Sequence, residues 1–191
     1  MTVSCGTLVK GLTDRPILLL NTHADRDHIG CNAQFDTVYL GIHEFQHYCL
    51  NHFDQKLIPL YEGDIIDLGN RKLSVYDLSG HTPGSIAFYD ENSRVLIPGD
   101  PIQKGGRIFM FGEQRSLAGY VKSLERLSKR KPDIREIWPS HAELPLDASY
   151  IEKCLEDGKD LLEGKLKYEI RDMFGKEVRA YQGKYNIYLC D

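Results

Sequence analysis

The chain has 191 residues, 41% of them hydrophobic and 27% charged, with a formal net charge of -4. That length and balance predict one soluble globular domain over residues 1–191, with room for a real core. Mild acidity with no basic stripe disfavours nucleic acid as a partner or substrate. The five cysteines, Cys5, Cys31, Cys49, Cys154 and Cys190, are scattered without a CxxC pair, which predicts reduced thiols and a cytoplasmic setting. Pro16 to Leu20, the longest apolar run near the N-terminus, is too short for a signal peptide or a membrane span.

Taken in order, Met1–Asp14 has room for at most one short helix. Ile17–Asn21, apolar and bounded by Pro16 and a polar cluster, predicts a buried strand. A short helix is expected over Gly30–Phe35, a second strand over Thr37–Leu40 and a helix from about His43 to Phe53. Strand, helix, strand in this order implies parallel pairing. Asp64–Leu68 and Lys72–Leu78 flank Gly69-Asn70 as a hairpin, and Ser85–Tyr89 and Arg94–Ile97 flank another turn-rich connection. Leu117, Tyr120, Val121, Leu124 and Leu127 have helical spacing over Ser116–Lys131, with Lys129-Arg130-Lys131 as a solvated helix end and Pro132 as the stop. Glu136–Trp138 is a short strand, Asp147 caps a helix to about Leu162, and Lys167–Arg171, Glu177–Tyr181 and Asn186–Cys190 are strands. The predicted class is an α/β layered domain.

Chemistry concentrates at predicted strand ends. Thr22-His23-Ala24-Asp25-Arg26-Asp27-His28 packs four metal-binding side chains into six positions, a density that a packed core would not choose unless a cation offset desolvation and repulsion. His81 follows in Ser79-Gly80-His81-Thr82-Pro83-Gly84-Ser85, Asp100 after Gly99, and His141 after Ser140. Strand C-termini are where α/β sheets assemble sites.

These segments resemble the metallo-β-lactamase superfamily, which carries H-x-H-x-D-H, then G-H-T-x-G-S, G-D and G-H, in that order. The resemblance runs from about Pro16 onward. It implies a four-layer αββα sandwich and a dinuclear metallohydrolase. One ion would be held by His23, Asp25 and His81, and the other by Asp27, His28 and His141, with Asp100 bridging. Such a pair activates water and clamps a developing oxyanion. Asp27 is then also the catalytic proton carrier, while Thr82 and Gly84 shape the turn that supports His81.

Two departures stand out. The second histidine of the family motif is Asp25 here. A carboxylate hardens the site toward iron or manganese and away from zinc. Flavodiiron oxygen reductases, which carry an acid at that position, are similar in this respect, so an iron-dependent redox enzyme is one alternative. In another, Asp25 reaches metal through a water and leaves a weak first site. The second departure is that only about 20 residues precede the motif, so part of the usual N-terminal sheet is expected to be missing, by truncation or by a small first sheet. The apolar strand Ile17–Leu20 would then be exposed, and a homodimer is expected to cover it.

His43-Glu44-Phe45-Gln46-His47 matches HExxH, which offers a zinc-peptidase alternative with Glu62 as third ligand; the other reading is an amphipathic helix burying Phe45, Cys49 and Phe53. A non-catalytic, degenerate family member is a third alternative. The expected substrate is a small ester, thioester, lactone or phosphoester. Lys104, Arg107, Phe109 and Phe111 suggest an anion-holding loop, although Gly105-Gly106 favours a mobile surface loop.

Overall fold

The computed structural model describes residues 4–50, 54–112, 114–130 and 133–191. The expected short helix at the start is α1 (Cys5–Leu12), where the Ser4 hydroxyl accepts from the Thr7 N–H at 3.3 Å and caps the first turn. A three-stranded sheet follows, with β1 (Leu19–Leu20), β2 (Thr37–Gly41) and β3 (Lys56–Leu60) all parallel and in that order. Between β1 and β2 lie α2 (Arg26–Ile29) and a 3₁₀ turn at Asn32–Gln34. After β2 come a second 3₁₀ turn (Ile42–Glu44) and α3 (Phe45–Cys49).

Three expectations change in this region. The first strand is only two residues long and half-buried, at the edge of its sheet, and Leu18 beside it is exposed. Tyr48, not Cys49, is the residue that α3 buries, and Cys49 is exposed; Phe53 lies outside the described residues. β3 escaped prediction because Pro59 interrupts its apolar run. An edge strand tolerates proline, since one side of it has no ladder to supply with N–H donors.

The expected hairpins are β4 (Ile65–Asp67), β5 (Lys72–Asp77), β6 (Ile86–Asp90) and β7 (Val95–Gly99), paired antiparallel in sequence. Next come β8 (Arg107–Met110), α4 (Leu117–Arg130), β9 (Glu136–Pro139) and α5 (Tyr150–Leu162), and the tail forms β10 (Tyr168–Met173), β11 (Lys176–Gln182) and β12 (Ile187–Cys190). β9 joins β7 in parallel, which closes a five-stranded sheet of order β4-β5-β6-β7-β9. The Asp147 carboxylate receives the Ser149 N–H at 2.9 Å just ahead of α5, whose N-cap is Ser149.

In the segment expected as a mobile loop, Gly105-Gly106 form only the bend that leads into the strand β8. It pairs in parallel with β12 in a sheet of order β10-β11-β12-β8. Asp157 on α5 organises that junction by accepting from the N–H groups of Lys184, Tyr185 and Asn186 at 2.7–2.9 Å, while the Asn186 side chain receives the Gly106 N–H at 3.2 Å.

The principal core lies where the five-stranded sheet meets α4, α5 and the inner strands of the tail sheet. Leu78, Ala87, Leu96 and Ile137 pack there with Tyr120, Val121, Leu124 and Leu127 of α4, the helical stripe read from the sequence. β6 is buried at every position, as a central strand covered on both faces should be. Among the described residues, no helix is long and apolar enough to cross a membrane.

Candidate metal centre

Four strand ends deliver the candidate ligands to one point. His23 follows β1, and Asp25, Asp27 and His28 lie in the turn and short helix behind it. His81 follows β5, Asp100 follows β7, and His141 follows β9. All seven expected residues converge. Their ligand atoms form three overlapping groups, His23/Asp25/His81, His23/His28/Asp100 and Asp27/His28/His141. Asp100 sits at the middle, with Oδ1 3.2 Å from His28 Nε2 and Oδ2 3.7 and 3.5 Å from Nε2 of His81 and His141. At the rim, Asp27 Oδ2 is 3.1 Å from His141 Nε2.

Local structure sets the imidazoles. His81 Nδ1 lies 2.8 Å from the Phe109 carbonyl on β8. A carbonyl can only accept, so the proton is on Nδ1 and the Nε2 lone pair points into the centre. His23 Nδ1 is held 3.0 Å from Thr22 Oγ1, which leaves its Nε2 facing the same way. The loops approach closely enough to require glycine at two ligand-bearing turns. At Gly99, with φ +70°, a Cβ would stand 2.6 Å from Thr22 Oγ1; at Gly80, with φ +130°, it would meet the Tyr120 backbone nitrogen at 2.1 Å.

Glu44 joins two of the ligand loops. Fully buried, its carboxylate accepts from Ala24 N–H at 2.8 Å and from Gly84 N–H at 2.7 Å. One bond ties the turn between His23 and Asp25, and the other ties the turn after His81. This placement overturns the HExxH expectation. Glu44 is engaged by the backbone, His43 is exposed on the 3₁₀ turn while His47 lies on α3, and Glu62 receives Asp77 N–H and pairs with Arg130. The basic-aromatic loop is revised as well: Lys104 pairs with Glu143 at 2.6 Å, and Phe109 and Phe111 pack beneath the tail sheet.

The electrostatics are those of a cation site. His23 Nε2, His28 Nε2 and Asp100 Oδ1 are buried without a hydrogen-bond partner; the 3.2 Å approach between the last two lacks hydrogen-bond alignment. Unpartnered buried polar atoms are costly, and three converging on one point require something to satisfy them. Burial, aided by the neighbouring imidazoles of His81 and His28, pushes His23 down to about 3. Burial opposes ionisation of Asp100, yet His28 and the other imidazoles outweigh it and hold the carboxyl below its ordinary value. For His28 burial works downward, but Asp100 and the other carboxylates raise it overall. Neutral His23 and ionised Asp100 are in the protonation states a divalent ion needs, while His28 would give up a proton to it. The donor set of these residues fits such an ion.

Sequence reasoning missed Arg115. Its Nη2 contacts both oxygens of Asp25 at 2.8 and 3.0 Å, and its Nη1 donates to the carbonyls of His81 (2.7 Å) and Phe109 (3.3 Å). Burial disfavours the ionised form of Asp25, but His81 and Arg115 together hold its carboxyl well below the usual range. The available signal was indirect: a carboxylate where the family has histidine calls for a compensating positive charge. Beside Arg115 opens a cleft of 320 Å³ lined by Asp25, Arg26, His47, Thr82 and Phe111 among others.

The family model of the metallo-beta-lactamase superfamily matches residues 11–141, and the chain belongs to that superfamily. Among its relatives, the acyl-coenzyme A thioesterase MBLAC2 of Bos taurus is 29% identical over 144 residues, covering 59% of this chain and 50% of that protein. A hydroxyacylglutathione hydrolase of Crocosphaera subtropica is 33% identical over 137 residues, covering 65% and 50%. The chain thus spans about half the length of the curated relatives it matches. The metallo-beta-lactamase from Pontibacter korlensis superposes with a TM-score of 0.69 at 19% identity, over 81% of this chain and 74% of that one. That likeness establishes the fold.

Proposed function

We propose that this chain is a metal-dependent hydrolase of thioesters. The observation that carries the proposal is the convergence of three buried, unpartnered atoms, His23 Nε2, His28 Nε2 and Asp100 Oδ1, in a centre whose Asp25 borders an open cleft. The thioester class is supported by relatives named for acyl-coenzyme A and hydroxyacylglutathione hydrolysis. A divalent cation bound here would acidify a water molecule and polarise the substrate carbonyl. The protein contributes the rest. His81, locked by the Phe109 carbonyl, and His23, held by Thr22, present fixed lone pairs. Solvent-facing Asp27 takes the proton of the attacking water as the water oxygen bonds to the carbonyl carbon, the C–S bond breaks, and the thiolate departs into solvent at the exposed rim. A cleft of 320 Å³ suits the acyl end of a small substrate. The acid at position 25 gives no support to an iron-dependent redox role, because Arg115 already accounts for it.

The test is thiol release from a short acyl-coenzyme A and from a hydroxyacylglutathione by zinc-loaded protein, beside the matching oxygen esters, a lactone and a phosphodiester. Thioester turnover should disappear with chelator, return with metal and be absent from Asp100→Asn. Fully metallated protein that releases no more thiol than Asp100→Asn would mark a non-catalytic member of the family.

A further inference from the structure

The sequence motif supplies ligands for two ions, but the structure distributes them unevenly. In the first group, Asp25 has both carboxylate oxygens on Arg115, at 2.8 and 3.0 Å. That guanidinium is built in: two backbone carbonyls, of His81 and Phe109, receive its other nitrogen, and its side chain is only 14% exposed. The same nitrogen stands 3.3 Å from His81 Nε2, the atom that would face an ion beside Asp25. A cation placed there would meet a fixed positive charge and a carboxylate whose two oxygens already share one guanidinium nitrogen. In the remaining groups no arginine or lysine intrudes among the described contacts. The three unpartnered atoms, on His23, His28 and Asp100, belong to one triad, and the rim pair Asp27 and His141 borders it.

We infer that the centre takes one divalent cation in place of the two implied by the resemblance. His23, His28 and Asp100 form its seat, and the Arg115 guanidinium, clasped by Asp25, holds the position of the second ion. The inference rests on the metal-binding part of the proposed function and not on the thioester class. Asp25 is then the counter-ion of Arg115, and its replacement of the family's histidine is explained by the arginine rather than by a preference for iron.

The experiment is zinc stoichiometry, by equilibrium dialysis and native mass spectrometry on the full chain, which needs no turnover. Wild type should hold one equivalent. Arg115→Met, which frees Asp25 and removes the competing charge, should take up a second; Arg115→Lys, which keeps a cation, should remain at one. Asp25→Asn should retain the single equivalent, whereas Asp100→Asn should lose it. Two equivalents in wild type, or one in a folded Arg115→Met, would overturn the inference while leaving a metallohydrolase standing. No zinc in wild type would overturn it together with the metal centre itself. Should Arg115→Met fail to fold, the wild-type count and the contrast between Asp25→Asn and Asp100→Asn decide the question alone.

Discussion

The centre has two unlike halves. His23, His81 and Asp100 are sealed, with side chains at most 4% exposed, while Asp27 and His141 stand in solvent at 61% and 45%. The sealed half is preorganised by a carbonyl on His81, a hydroxyl on His23 and the Glu44 carboxylate across two loops. The rim half consists of two groups facing each other with little behind them. A buried candidate ligand cannot exchange its partner for water, so it favours the ion. An exposed ligand always has water as an alternative and can release and regain a proton during turnover.

If that division is right, substitutions on the two sides should differ in kind. Asp100→Asn should lower zinc affinity by about a hundredfold or more, since outer partners of ligands alone cost roughly 10–100-fold; His141→Ala should weaken binding by about tenfold at most. Competition with a chromophoric chelator measures both, and equal losses would erase the distinction. Glu44→Gln comes next. An amide cannot accept from both Ala24 and Gly84, so it should destabilise the protein by about 2 kcal/mol in calorimetry while leaving the ligands themselves unaltered.

The metal-free protein should also show the sealed half in its pH dependence. With His23 lowered to about 3 from 6.5, the unfolded chain takes up a proton that the native chain refuses. Stability from this group is therefore full above pH 6.5 and lost as pH falls toward 3, by about 1.4 kcal/mol per unit. His28, raised in the fold, has the opposite sign: its contribution is full below 6.5 and lost as pH rises. Melting temperature without metal should accordingly peak near pH 6.5 and shift little in His141→Ala. The smallest effect is on the fold itself, where His141→Ala should change stability by no more than about 0.5 kcal/mol. A larger loss would mean that the rim supports the structure.

All seven candidate ligands were legible because each sits in a short local pattern at a strand end, where sequence neighbours and spatial neighbours coincide. Arg115 was not. It lies 90 residues from Asp25, in a stretch without a motif, and two of its contacts are to backbone carbonyls, which sequence does not distinguish. Glu44 was visible but misassigned. HExxH spacing presumes one continuous α-helix, and here a 3₁₀ turn carries the first histidine while the backbone claims the acid. β8 stayed hidden because its partner, β12, lies at the far end of the chain and Gly105-Gly106 resembles a loop.

That last pairing ties one imidazole to a distant contact. The carbonyl that fixes the His81 ring belongs to Phe109 on β8, and Phe109 is paired with Leu189 on β12. Fraying of β12 would therefore loosen the His81 ring without touching any candidate ligand, so damage to the tail sheet is felt at the centre.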